Sequence, residues 1–90
     1  MGKIEVEKKT AKALKKEGIL EWPIWEKDVS RFFWSYDKTE ECYLIEGEAT
    51  VEIGNDKTDI AAGDFVRFER GLVCIWEVKT PIKKHYRFVD

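Results

Sequence analysis

Apolar and polar positions alternate along most of this chain, in short runs that end at Gly, Asn, Asp or Pro. A period of two marks strands with one buried face. "KIEVE", from Lys3 to Glu7, is the first such piece. The period then changes. "TAKALKKEG", from Thr10 to Gly18, predicts one short helix over about residues 10–17. Thr10 can accept a backbone N–H at its amino end. Ala, Leu and Lys favour helix, and Gly18 can take the left-handed conformation beyond the last turn. Leu14 is predicted to anchor this helix outside the sheet, as an amino-terminal cover.

Strand patterning returns from about residue 20 and runs to about 89. In "WPIWEKDVSRFFWSYD", Pro23 opposes helix and suits a strand start or edge. Phe32, Trp34 and Tyr36 share one strand face. "ECYLIEG" and "EATVEI" follow as two strands, with Gly47 as the turn between them. "GNDK" predicts a hairpin loop, because Gly and Asn tolerate positive φ. "TDIA" and "FVRF" are short strands. "LVCIWEV" and "KKHYRFV" complete the series, with Pro81 breaking between them. Strands of this length at near-regular spacing predict an all-β, antiparallel sandwich or barrel with one short N-terminal helix.

Composition narrows the classes. Ninety residues make one domain. Four Trp, five Phe and three Tyr supply a dense core, each ring burying roughly 150–250 Å². Sixteen basic residues nearly cancel eighteen acidic ones, without the basic stripe of a nucleic-acid protein. The basic run "KKTAKALKK" is diluted by Glu5, Glu7 and Glu17 and reads as a solvated face. No apolar run approaches the roughly 18 residues of a membrane span, and no leader pattern is present. Two cysteines in such a chain are expected as free thiols in a reducing compartment, which makes the cytoplasm the expected location.

Two spaced motifs carry a resemblance. Trp34, Tyr36, Glu40 and Gly47 form the first, and "GDFVRFERGLVC", with Gly63, Asp64, Gly71 and Cys74, forms the second. At these spacings the chain resembles the cupins, a family of small jelly-roll barrels. With "WPIWEKDVSRFFWSYD", "ECYLIEGE" and "KKHYRFV", it looks like the small single-domain cupins classed with the cupin domain of ureidoglycine aminohydrolase. The resemblance implies one antiparallel jelly-roll domain over residues 1–90, with its barrel at about 20–89, and a possible homodimer. It also implies a metal site of three His and one Glu. Here the three matching positions are Trp34, Tyr36 and Cys74. Indole has no lone pair to give a metal. Glu40 and Cys74 leave two ligands where zinc sites use three or four. His85, the single His, would be a third only if its ring points inward. No metal and no cofactor are therefore expected.

What the pocket holds instead follows from alternation. The resemblance implies that Glu40 points into the barrel. Cys42 and Leu44 then face in with it. Phe32, Trp34 and Tyr36 do the same from the preceding strand, and Cys74 and Trp76 from the second motif. Apolar surroundings should raise the Glu40 pKa towards that of a general acid or base. They should also raise the thiol pKa values, which disfavours Cys74 as a nucleophile. Expected catalytic residues are Glu40, Cys74 and Tyr36. Expected ligand-binding residues are Trp34, Trp76, Phe32, Cys42 and His85.

The enzymic reading is a metal-independent enzyme using Glu40 as acid/base on a small polar metabolite. Beside it stand a non-catalytic small-ligand module and a structural or dimerising protein. In the blander readings Glu40 merely accepts bonds from the Tyr36 hydroxyl and the Trp34 N–H, and Cys74 is core filler. Trp22 and Trp25 are expected as a lid or a subunit contact. Lys83 and Lys84 are expected in solvent.

Overall fold

Two strands organise the molecule, and both are longer than their sequence punctuation predicts. A computed structural model describes residues 2–89. Its strands are β1 (Ile4–Lys8), β2 (Ile24–Lys27), β3 (Ser30–Ser35), β4 (Glu40–Ile53), β5 (Asp56–Ala61), β6 (Asp64–Phe68) and β7 (Val73–Phe88). One helix, α1 (Ala11–Lys16), and a 3-10 turn at Ile19–Glu21 separate β1 from β2. All strand pairings are antiparallel, so the fold is all-β.

β4 runs through Gly47, which is not a turn. β7 runs through Pro81, which is not a break. The two strands pair along most of their length, and their register shifts on either side of Gly47. Those irregularities bend the pair. Gly47 has φ 91°, and a Cβ there would lie 2.2 Å from the Pro81 carbonyl oxygen. Only glycine lets the two backbones pass this closely.

The bend splits the sheet into two layers. Glu40–Tyr43 pair with β6 and with the end of β7, to which β2 adds, and β1 extends the edge beyond β6. Beyond the bend, β4 pairs with β5 and with the first half of β7, to which β3 adds. Apolar side chains from both layers meet in one core, with Cys42, Leu44, Val66, Phe68 and Ile82 from the first and Val51, Ile60, Trp76 and Val78 from the second. β1 belongs to this sheet although it precedes the helix, so the sheet begins well before residue 20.

The helix is built as its residues dictate. The Thr10 side chain accepts the Ala13 N–H at 3.1 Å, and Gly18 sits at φ 69° just past the end. Leu14 is buried in a second, smaller cluster with Ile19 and Phe65, outside the main core. Among the described residues no helix is long and apolar enough to cross a membrane.

Candidate functional site

Parity along the strands decides which side chains meet. On β4, Glu40, Cys42 and Leu44 are buried while Glu41 and Tyr43 between them are less so. On β7, Cys74, Trp76, Val78, Ile82 and Lys84 are all buried, an even-numbered series that resumes beyond Pro81 after the exposed Thr80. Lys84 therefore points inward with Trp76. Its Nζ donates to Glu40 Oε2 at 2.7 Å, with both side chains 6% exposed. This corrects the expectation that Lys84 is solvated. It also removes the premise of an acid walled only by rings, since a cation touches it.

The pair borders a cavity of about 530 Å³. Trp25, Phe32, Trp34, Tyr36 and Trp76 form much of its wall, and Tyr86 and Phe88 continue it. The Phe32 and Trp76 rings stack at 6.1 Å with planes 7° apart, and Trp25 meets both edge-on. Lys84 Nζ lies 4.9 Å from the Trp25 ring centre, 4.8 Å from Trp76 and 5.6 Å from Phe68. Aromatic faces attract an ammonium, so the rings complement the carboxylate in holding this charge.

The electrostatics follow from this packing. Burial opposes the Lys84 ammonium, but the Cys42 sulfur and the Glu40 carboxylate beside it outweigh burial and hold its pKa above the ordinary value. Burial pushes the Cys42 thiol up to about 12, so at neutral pH the negative partner of Lys84 is Glu40. Burial, and then Glu40, push Cys74 up to about 11 and raise Tyr36 well beyond its ordinary range. Tyr36 is a neutral phenol whose oxygen accepts the Trp76 indole N–H at 3.2 Å.

Several expected site residues stand elsewhere. His85 falls on the opposite parity from Lys84 and is not on the cavity wall. It is buried on the other face of the strand, with its Nδ1 2.9 Å from the Trp22 carbonyl oxygen. Cys42 and Cys74 are core residues beside the ion pair and do not line the cavity. Both remain free thiols. Trp34 does line it, but at 48% exposure it stands at the rim. It makes no bond to Glu40; it meets Tyr36 edge-on at 6.5 Å. Trp22 and Trp25 separate across Pro23: Trp25 enters the cavity, while Trp22 packs on Phe65 and under Arg87.

Residues 14–86 match the family model described as the EutQ-like cupin domain. The chain belongs to that family of cupins. A solved DUF861 family protein from Thermotoga maritima is 43% identical, with a TM-score of 0.93 over 97% of this chain and 100% of that one. The EutQ protein of Clostridium difficile is 20% identical, with a TM-score of 0.67 over 72% of this chain and 52% of its own length. A protein of unknown function from Acidithiobacillus ferrooxidans is 19% identical, with a TM-score of 0.65 over 69% of this chain and 60% of its own. The latter two likenesses show the fold, and this cupin spans about half the length of the EutQ protein. No curated protein matches the chain.

The described residues of this cupin do not fit a divalent metal. Among the described residues no three or more His, Cys, Asp or Glu side chains are grouped as ligands. Where the carboxylate of Glu40 could serve as one, the Lys84 ammonium already donates to it. An ammonium has no lone pair to give and repels a second cation.

Proposed function

We propose that this cupin is a metal-independent enzyme that moves a proton on a small polar molecule held in the barrel cavity. Glu40 is the base, and it returns the proton as acid. Glu40 Oε2 is held by Lys84, and both residues line the cavity, so the carboxylate can be reached from it. Oε1 takes a proton from a C–H or N–H of the substrate. The electron pair left behind moves onto an oxygen or nitrogen of the substrate, where the Lys84 ammonium stabilises the developing charge. Glu40 then gives the proton back at the same or a conjugated atom, so the step balances without an external reagent.

One observation carries the reading: a buried ion pair faces an open cavity. A purely structural pair gains little, since apolar residues of the same volume commonly match or exceed its stability. The subgroup of ureidoglycine aminohydrolase supports a nitrogenous substrate by analogy alone. Its hydrolytic reaction is not carried over, because the donor set needed for it is absent here. Free buried thiols support a cytoplasmic setting.

The test reads proton transfer directly. The protein is incubated with a metabolite mixture in D2O and deuterium uptake is followed by NMR. The wild type is expected to label one component, and Glu40→Gln to lower that rate by about 10²-fold or more. Equal labelling by both proteins would sink the proposal. The aromatic walls favour a non-catalytic binding module as the second reading. It leads if a component binds both proteins and neither labels it.

A further inference from the structure

The charge lining the cavity does not balance. Glu40 and Lys84 cancel each other, which leaves Lys27 as a second ammonium on the wall. Lys27 Nζ lies 5.3 Å from the centre of the Phe32 ring, and that ring stacks on Trp76. No described carboxylate lies within ion-pair distance of it. Glu26 and Asp28 share a neighbouring cleft with Lys27, but neither pairs with it. Glu26 has the opposite parity on β2, and Asp28 Oδ1 accepts the Val29 N–H at 2.8 Å in the following turn. The tyrosine that reaches deepest is neutral, with its pKa raised by burial and by Glu40. One positive charge therefore stands at the end of a wall of stacked rings. A concave, low-dielectric wall strengthens the field of such a charge.

We infer that the ligand of this cavity is a planar molecule bearing one negative charge, with its ring on the Trp25, Phe32 and Trp76 wall and its anionic end towards Lys27. The inference rests on the proposed cavity site and adds the class of ligand. A planar ring gains contact with faces that are already ordered. A neutral ring would gain nothing from the Lys27 charge, and a cationic ring would meet two ammonium groups and one carboxylate that is already paired.

Three probes with one ring separate shape from charge: benzoate, benzamide and benzylammonium. Each is titrated into nitrogen-15-labelled full-length protein while the indole N–H signals of Trp25, Trp34 and Trp76 are followed. Benzoate is expected to bind best and benzylammonium worst. Lys27→Gln is expected to weaken benzoate by about two- to fivefold, the range of a partly exposed ion pair, and to leave benzamide unchanged. Lys27 is exposed at the end of β2, so the variant keeps the core. Lys57→Gln, on β5, removes the same net charge at a residue that does not line the cavity and is expected to change neither probe. Equal binding by all three probes would leave the cavity site standing and overturn the charge inference. So would a Lys57→Gln loss as large as that of Lys27→Gln. If no probe moves any of the three indoles, the ring-binding cavity fails and the inference fails with it.

Discussion

Glu40 and Glu41 are adjacent on β4, and each is held by basic side chains, yet the two sites differ in kind. Glu40 faces inward to a single lysine, and the pair is almost entirely buried. Glu41 faces outward to two arginines, accepting from Arg67 at 2.9 Å and from Arg87 at 2.8 and 3.0 Å. The Arg67 and Arg87 side chains are 39% and 50% exposed. Water screens the outer cluster, so its hydrogen bonds contribute little net stability. The inner pair has lost its water, so each charge depends on the other. Number of contacts favours Glu41, whereas chemical leverage favours Glu40. The proposed proton transfer uses the carboxylate that packing has stripped of most of its water and that still borders a cavity.

Removing one partner from each site tests that difference most severely. Lys84→Ala leaves the Glu40 carboxylate buried without its cation. It is expected to lower unfolding free energy by about 3–5 kcal/mol, read from urea midpoints. A loss under about 1 kcal/mol would place the inner pair in the same class as the outer one. Replacing both partners, as Glu40→Leu with Lys84→Met, is expected to recover stability to the wild-type level or above it by about 1–4 kcal/mol. The same double variant is expected to abolish the proposed proton transfer, a separation of stability from function that the outer cluster cannot show.

Alkali sharpens the contrast next. Cys42, Cys74 and Lys84 all hold their protons more tightly in the folded chain than in the unfolded one. Above about pH 9 the unfolded chain releases these protons first, so stability falls as pH rises through 9 towards 12. The slope is expected at about 1.4 kcal/mol per pH unit for each group in its window, followed by chemical denaturation. Cys42→Ala should flatten it, and Arg87→Ala should leave it unchanged. The smallest effect belongs to the outer site itself. Arg87→Ala is expected to cost about 0–1 kcal/mol in low salt and less at 1 M NaCl, whereas the Glu40–Lys84 coupling from a double-mutant cycle should persist in salt.

Much of the site was legible in the period-two pattern. Glu40, Cys42 and Leu44 had to share one face, as did Cys74 and Trp76, and burial on β4 and β7 follows that rule. Lys84 was missed for a definite reason. Reading Pro81 as a break discarded the parity running from Trp76 through Val78 and Ile82 to Lys84. Kept through the proline, the same count sends Lys84 to the cavity and His85 to the opposite face, where it too is buried. Pro81 is tolerated because its place in β7 adjoins the irregular stretch around Gly47, where the ladder is already interrupted.

Alternation, turn residues and the Thr10 cap are local properties, set by backbone sterics and by hydrogen bonds a few residues apart. They determined an antiparallel all-β chain with one short helix, and which residues of a strand lie on a common face. Tertiary structure decided what those faces meet. Lys84 and Glu40 are 44 residues apart, and their bond exists because β4 and β7 pair along their length and bend together at Gly47 and Pro81. A charge on one strand has no preferred partner until packing removes its water, and that desolvation is a property of the folded whole.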